Sequence, residues 1–523
     1  MMNKALKLTL LTLALSIALL AAAGCHKQKI TTGQVVATLD TLESRLAWLE
    51  YRLNEERWSD AVYGSSDSLG YFYGLRQYTL SNTTYFDALN TGRQLIGDKV
   101  QLRRYNLIFP DVLLSRVEHG SMVSRLRDSL MTVTNGGIRP GQGPYLTQKR
   151  SAIERERAYR MWAGESPQLA DALQRLLRLR HQAARQAGYG SYLSVAFASR
   201  SMNLQDSRRL LENLNAQSSQ AYTELLERRR LDLGRRDLYP WDMWAIEADA
   251  DLHVDSFFPV DSQWTIARKT LDAIGFDVDK LPLYVQFLDP AEGRATVEVF
   301  PIVAGEDVRI VCRLKDGVDS FRKLIGGLGV ALTIIGVRQD NPLYANAIDD
   351  AWLGGMKAIL VRLTDLPDWL TEFAHVPPPM AKRYLEARNE ALMTALRYKL
   401  ASVTFQLDAY SNPQRDLGQV YWDIFRRITD LTPQDDLHPW VAEMTVSGPP
   451  LSALNNLLGD LIAAQTIDYL VQSYGDDFKS TRLKSFLEQN YFRFGARYDW
   501  QELLRRGTDR PLDGQSYLSL LQS

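Results

Sequence analysis

Two adjoining runs, Asp307-Val-Arg-Ile-Val-Cys-Arg313 and Phe321-Arg-Lys-Leu-Ile-Gly-Gly-Leu-Gly-Val-Ala-Leu332, indicate the fold of this 523-residue chain more clearly than any other segment. The first run is rich in β-branched residues, which predicts a strand. The second run is apolar and contains three glycines, each of which costs a helix interior roughly 1 kcal/mol relative to alanine. No residue from Leu324 to Val337 is ionisable. We therefore expect a core helix that is held in place by burial and close packing.

The segments around these runs predict a mainly helical protein with a small sheet. Leucines at three- and four-residue steps predict an amphipathic helix over Thr38–Trp58. Further predictions are strands at Val297–Phe300 and Val308–Leu314, and helices over Asn203–Leu231, 324–337 and 345–361. No Pro/Ser/Gly-rich linker divides the chain after residue 35, so we expect one two-lobed body. Its lobes are an N-terminal helical lobe over 35–235 and a second lobe over 236–523.

Residues 1–24 have the pattern of an export signal, since Lys4 and Lys7 precede an apolar run that ends at Ala23. Cys25 follows Ala-Ala-Gly, and this arrangement resembles a bacterial lipoprotein signal. The resemblance implies cleavage before Cys25, lipid on its sulfur and new amino terminus, and a tether over 25–34. An ordinary secretory signal with a chance cysteine, or an uncleaved anchor, is the alternative. We therefore expect a lipid-anchored protein of the bacterial cell envelope that faces the periplasm or the exterior.

Composition limits the classes of partner and the redox chemistry. Lys and Arg total 61 against 62 Asp and Glu, so nothing in the net charge of −1 favours nucleic acid. A hydrophobic content of 45% indicates a folded globular chain. Cys25 and Cys312 are the two cysteines. If Cys25 carries lipid, the fold contains no disulfide, and Cys312 is expected to be a buried, inert thiol.

Five blocks, in order along residues 170–465, resemble the zinc oligopeptidases related to thimet oligopeptidase, oligoendopeptidase F and angiotensin-converting enzyme. They are Leu176–Tyr192 (with His181 where the family usually has Asn), Tyr239–Asp242, Leu288–Arg294, Asp307–Ile310 and Pro450–Gln465. Each block is weak alone, but their shared order is fairly specific. The resemblance implies a mainly α, two-lobed, zincin-like fold with a small β-sheet beside a deep groove.

The zinc-binding motif of these enzymes is degenerate in this chain. In a HExxH helix the two histidines bind zinc and the Glu between them acts as base. The preceding strand sets the register, and Gly329 matches the Gly of the family's HExGH. The first His then falls on Gly326, the Glu on Gly327 and the second His on Val330.

The remaining positions of the family's mechanism are equally altered. The third ligand, a Glu on the next helix, is matched most nearly by Asp350 or Asp349, and a later His that polarises the substrate falls on Thr445. A catalytic zinc takes three protein ligands and keeps one open position for water. One Asp cannot hold the ion, so the resemblance implies that the family zinc is lost and that no cofactor is needed.

Other clusters carry weaker signals. None of the six histidines forms HxxxH or HxH, and His253, with Asp249, Asp251 and Asp255, is the best local group. We interpret it as a solvated acidic helix end or turn, with a metal site as the alternative. Aromatic residues cluster over 51–73, where helix packing is the default interpretation and a ligand-binding wall the alternative.

These observations predict a catalytically inactive, zinc-peptidase-like envelope lipoprotein. It would bind a peptide or protein in the inherited groove or on its surface. One alternative is an active metallopeptidase with a rearranged site that uses Asp350 and a distant His. Another is a purely structural lipoprotein whose groove has filled in.

Overall fold

The structure is a computed structural model that describes residues 30–134, 151–163, 167–198, 202–290, 295–444 and 450–522. It is mainly helical and contains one three-stranded sheet. The prediction of a mainly α protein with a small sheet is therefore confirmed.

Before the sheet, the regular elements of the described residues are helices. They are α1 (Thr32–Tyr63), α2 (Leu69–Leu80), α3 (Thr83–Gly92), α4 (Lys99–Glu118), α5 (Ser121–Thr134), α6 (Ala152–Ala163), α7 (Pro167–Gln186), α8 (Tyr192–Ala198), α9 (Leu204–Gln217), α10 (Ser219–Leu233), α11 (Pro240–Met243), α12 (Ala245–Asp251) and α13 (Val260–Ala273). The single helix predicted over Asn203–Leu231 was wrong. Asn203 caps α9, and the helical conformation is interrupted at Ser218, which separates α9 from α10.

The sheet consists of β1 (Leu283–Phe287), β2 (Thr296–Val303) and β3 (Asp307–Arg313), in the order β1-β3-β2. The central strand β3 pairs parallel with β1 and antiparallel with β2. Both predicted strands are confirmed, as the cores of β2 and β3. The short strand β1 was not predicted from the sequence, because its five residues form a strand by pairing with β3.

Helices also follow the sheet. They are α14 (Val318–Ile335), α15 (Pro342–Asn346), α16 (Asp350–Leu363), α17 (Pro367–Glu372), α18 (Pro378–Ser411), α19 (Leu417–Thr429), α20 (Trp440–Glu443), α21 (Ser452–Tyr474), α22 (Thr481–Asn490), α23 (Trp500–Thr508) and α24 (Gln515–Gln522). The predicted core helix is α14, which begins six residues before the predicted start.

Capping explains why α1 is longer than the predicted Thr38–Trp58. Thr31 and Gln34 form a capping box at its start, which satisfies backbone N–H groups that lack helical partners. Gly64, at a φ of +77°, ends the helix in the left-handed conformation. The predicted leucine stripe is buried, and the other face of α1 is largely exposed.

Close helix packing stacks α14 between the sheet and α16, and α16 in turn lies against α21. Glycines make this approach possible. A Cβ on Gly459 of α21 would lie 2.8 Å from the backbone carbon of Gly354, and one on Gly355 would lie 2.7 Å from Ile462. The predicted close packing of small residues therefore extends beyond α14 to its neighbours.

Candidate functional site

Gly326 and Gly327 are buried on α14 and face two different neighbours. A Cβ on Gly326 would lie 2.9 Å from Cγ and 3.1 Å from Cε of Lys357 on α16. A Cβ on Gly327 would lie 2.4 Å from Cγ1 of Val297 on β2. Carbon atoms in favourable contact are about 3.5–4.0 Å apart. The space that an imidazole or carboxylate would need at these two positions is thus occupied by neighbouring side chains.

The next turn of α14 is packed in the same way. Val330 is partly buried against the main core. At Gly329 a Cβ would lie 2.8 Å from the carbonyl oxygen of Met356. The face of α14 that carries Gly326, Gly329 and Val330 is therefore in direct contact with its surroundings.

Lys357 is the residue at this contact that the sequence analysis missed. Its aliphatic chain covers Gly326, yet the residue is exposed to solvent. Despite this exposure, the surrounding protein excludes part of the water around the side chain, and this desolvation lowers the pKa of Lys357. The nearby Lys323 and Lys399 lower the pKa further, while Asp460 opposes the shift. The ammonium has no hydrogen bond or ion pair within the described part of the chain. A signal was present in the sequence, since Lys357 is the lone ionisable residue between Ala351 and Val361.

The charges around Lys357 are already paired with one another. Lys323 bridges to Asp319 at 2.7 Å, and Lys399 pairs with Asp460. A protonated lysine donates hydrogen bonds and has no lone pair for a metal. Gly326, Gly327 and Val330 offer no ligand atom in their side chains, and a cation lies beside them. The residues at these positions do not fit a zinc ion.

Asp350 lies on α16, the helix that also carries Lys357. It occupies the first turn of α16, after Asp349, whose carboxylate accepts the N–H of Ala351 at 2.8 Å. Lys357 follows two helical turns later, about 10 Å along the axis. The residues of α16 that meet Gly326 are thus Lys357 and Val361, and Asp350 lines a cavity instead.

This cavity has a volume of about 710 Å³ and lies between α1 and α4 on one side and α15 and α16 on the other. Arg76 bridges Glu50 and Asp111 in its wall, both at 2.7 Å. Arg103 donates to the carbonyl oxygens of Ala496 and Tyr498, at 2.8 and 3.0 Å. The wall is polar, and its arginines are held in fixed positions.

A second cavity of about 720 Å³ lies between α9 and α23. Asp499, the N-cap of α23, is a lining residue of both cavities. We call the two together the interlobe cleft. Acidic side chains outnumber basic ones among the residues that line it.

The predicted acidic group around His253 serves packing. The carboxylate of Asp251 accepts hydrogen bonds from both terminal nitrogens of buried Arg322, at 2.8 and 2.7 Å. Asp255 accepts the first N–H of α14, from Val318, at 2.9 Å. His253 itself is exposed. Within the described ranges, no group of three or more His, Cys, Asp or Glu is placed to hold a metal.

Two predicted positions, Cys25 and Thr445, lie outside the described residues. Cys312 is buried on β3, and burial raises the pKa of its thiol to about 12, as expected for an inert cysteine. A search of the described helices finds none with the length and apolar character that crossing a bilayer requires.

The architecture as a whole is that of the helical metallocarboxypeptidases. Trypanosoma cruzi metallocarboxypeptidase 1 matches with a TM-score of 0.65 and 14% identity, over 93% of this chain and 99% of that one. A carboxypeptidase from Pyrococcus furiosus matches with a TM-score of 0.64 and 12% identity, over 94% of this chain and 99% of that one. An M32 carboxypeptidase from Deinococcus radiodurans R1 matches with a TM-score of 0.63 and 14% identity, over 93% of this chain and 98% of that one. The predicted zincin-like fold is thereby confirmed.

At these identities the likeness shows the fold alone. The chain matches no protein-family model and no curated protein. The general prediction of a metallopeptidase-like protein agrees with the solved structures, which are carboxypeptidases. The narrower likeness to thimet oligopeptidase, oligoendopeptidase F and angiotensin-converting enzyme stays a prediction.

Proposed function

We propose that this protein is a catalytically inactive, metallopeptidase-like lipoprotein of the bacterial cell envelope. It is anchored to the membrane by lipid on Cys25, and it binds a peptide or protein segment in the interlobe cleft. The observation that supports the proposal is the packing at Gly326 and Gly327, the positions matched to the family's first zinc-binding His and to its catalytic Glu. Side chains of Lys357 and Val361 fill the space beside Gly326, and Val297 fills the space beside Gly327.

The loss of chemistry follows from that contact. Without three ligands the protein has no means of holding zinc, and without the metal no bound water is acidified towards neutral pH. The side chain of Lys357, which lies against Gly326, also brings a positive charge to this part of α14. Two separate features thus oppose metal binding, namely the missing ligand atoms and the local charge.

Binding is supported by the size and lining of the interlobe cleft. Each cavity falls within the roughly 300–1,000 Å³ that is typical of ligand sites. The polar groups in the wall are fixed by ion pairs and backbone carbonyls, so little ordering is needed when a ligand enters. The acidic excess favours basic peptides, whose association would be steered by charge and weakened by salt.

The test compares basic and acidic mixed-sequence octapeptides for binding to the purified, lipidated chain by isothermal titration calorimetry. Asn106, an exposed residue in the cleft wall, is replaced by Trp to obstruct the cavity, and exposed Lys382 on α18 is replaced by Trp as the matched control. We expect saturable, salt-sensitive binding of the basic peptides to wild type and Lys382→Trp, and a loss with Asn106→Trp. No binding of either peptide set would favour the purely structural alternative.

A cleavage assay on the same peptides distinguishes the proposed inactive protein from an active metallopeptidase with a rearranged site. An active enzyme with a rearranged site would release products, and both a chelator and Asp350→Ala would abolish the release. The proposal expects intact peptides after prolonged incubation.

A further inference from the structure

The solvent face of α2 (Leu69–Leu80) is made of tyrosine and glycine. Tyr71, Tyr73 and Tyr78 are 65%, 48% and 72% exposed. Gly70 and Gly74 lie among them, with no atom near enough to contact a Cβ at either position. Helices at a protein surface normally present charged and polar residues to water. This helix presents uncharged aromatic rings.

The charged and amide side chains of α2 are engaged by neighbouring elements. Arg76, its one charged residue, bridges to Glu50 on α1 and Asp111 on α4. Gln77 forms a hydrogen bond with Nδ1 of His119 at 2.6 Å. Phe72 is buried in a small cluster with leucines of α1. The orientation of α2 is therefore set by specific contacts, and within the described ranges its three tyrosines stay exposed.

Trp48 of α1 continues the same surface. It is 51% exposed, and its ring lies 5.7 Å from that of Phe72, which is 5.3 Å from the ring of Tyr71. We call the exposed surface of Trp48, Tyr71, Tyr73 and Tyr78 the aromatic face. Tyr and Trp combine an apolar ring with a polar tip, which suits the headgroup level of a bilayer.

We propose that the aromatic face rests on the surface of a lipid bilayer and orients the protein on its membrane. The inference depends on the proposed lipid anchor at Cys25. The seven residues from Cys25 to Thr32 reach at most about 25 Å. Trp48 lies about 24 Å along α1 from Thr32. Since α2 folds back against α1, the aromatic face is within reach of the bilayer that holds the lipid.

A reporter at the centre of the aromatic face tests this docking. Gly74→Cys leaves every tyrosine in place, and Gly74 has open space around it. The introduced thiol is selectively labelled, because Cys312 is buried with its thiol pKa raised to about 12 and lipid would block Cys25. Exposed Lys382 on α18, replaced by Cys, is the matched control. Both lipidated variants carry an environment-sensitive fluorophore and are reconstituted in phosphatidylethanolamine and phosphatidylglycerol vesicles that contain headgroup-level nitroxide lipids.

We expect the nitroxide lipids to quench most of the fluorescence at position 74 and to leave that at position 382 nearly unchanged. Adding Tyr71→Ser, Tyr73→Ser and Tyr78→Ser to Gly74→Cys should abolish the quenching. Equal quenching at positions 74 and 382 would overturn the inference. Protection of position 74 in native envelopes but not in protein-free vesicles would also overturn it, in favour of a protein partner.

The mass of the purified chain separates this inference from the anchor on which it rests. A chain without lipid on Cys25 would refute the anchor, and the docking inference with it. A lipidated chain whose position 74 is not quenched would refute the docking alone.

Discussion

At the scale of single residues, the two adjacent glycines of α14 play different roles. Gly326 meets the flexible chain of Lys357, whereas Gly327 meets the branched side chain of Val297 in the sheet. A lysine chain can move aside, but a valine is stiff about its first side-chain torsion. Of these two glycines, Gly327 is therefore the one where the packing tolerates less change.

We predict that Gly327→Ala lowers the free energy of unfolding by about 1–3 kcal/mol, because its Cβ would lie 2.4 Å from Val297. Urea denaturation followed by circular dichroism measures the change. Gly74→Ala is the matched control, since its Cβ meets nothing, and it should stabilise α2 by about 0.5–1 kcal/mol. Unchanged stability in Gly327→Ala would contradict the tight contact between α14 and β2.

The buried pair of Arg322 and Asp251 gives a second prediction at this scale. Arg322→Met removes both hydrogen bonds to the carboxylate and leaves a buried charge without its partner, which typically costs about 3–5 kcal/mol. Arg505→Met, which breaks the exposed pair with Glu502, should cost less than about 1 kcal/mol. Equal losses in the two variants, measured by urea denaturation, would contradict a structural role for the pair.

At the scale of elements, α14 begins where a neighbouring segment caps it. Gly317 has a φ of +110° and no capping side chain, so Asp255 supplies the acceptor for the N–H of Val318. We predict that Asp255→Ala lowers the unfolding free energy by about 1 kcal/mol, the usual effect of a lost cap. Asp279→Ala, at an exposed carboxylate, should change it little. Thermal unfolding of the two variants checks the difference.

The elements that could be predicted are those whose patterns are local. The leucine stripe of α1, the β-branched runs of β2 and β3 and the apolar run of α14 all carry their own periodicity. Strand β1 depends on pairing with β3, which lies some 24 residues further along the chain. At the break between α9 and α10, the hydroxyl of Ser218 accepts a hydrogen bond from Arg397 of α18 at 2.9 Å. Such long-range contacts leave no local signal.

The site was predictable in part for the same reason. The apolar run predicted that Gly326, Gly327 and Val330 lie on one helix, and they lie on α14. Their match to the family's zinc motif stays a prediction. The resemblance named Asp350 or Asp349 as the nearest match to the family's third ligand, but it did not predict which residues contact Gly326. Those residues, Lys357 and Val361, depend on how α14 and α16 cross. Side chains that meet across helices follow from tertiary packing.

At the scale of the whole molecule, one hydrophobic core runs from Val35 on α1 to Leu521 on α24. The predicted lobes over 35–235 and 236–523 share this core, and the boundary at residue 235 stays a prediction. The interlobe cleft is framed by elements of both segments. A ligand in the cleft would thus contact both segments and stabilise their joint fold by mass action.

Chelation should leave the molecule unchanged. A metal that binds the native state raises its stability, and stripping the metal would lower the melting temperature. We predict the same melting temperature with and without excess EDTA, because α14 and α16 are joined by direct contact. A drop on chelation would indicate a metal that contributes to the fold.

The central claim is that side-chain packing has replaced the zinc site of this metallopeptidase-like fold. The measurement that tests it most directly is the zinc content of the full, lipidated chain, determined by inductively coupled plasma mass spectrometry after incubation with excess zinc and gel filtration. The account predicts a zinc content far below one ion per chain, and the same low content in wild type and in Gly326→Ala. Close to one tightly held ion per chain would contradict it, and would mean that the ligands lie outside α14 and α16.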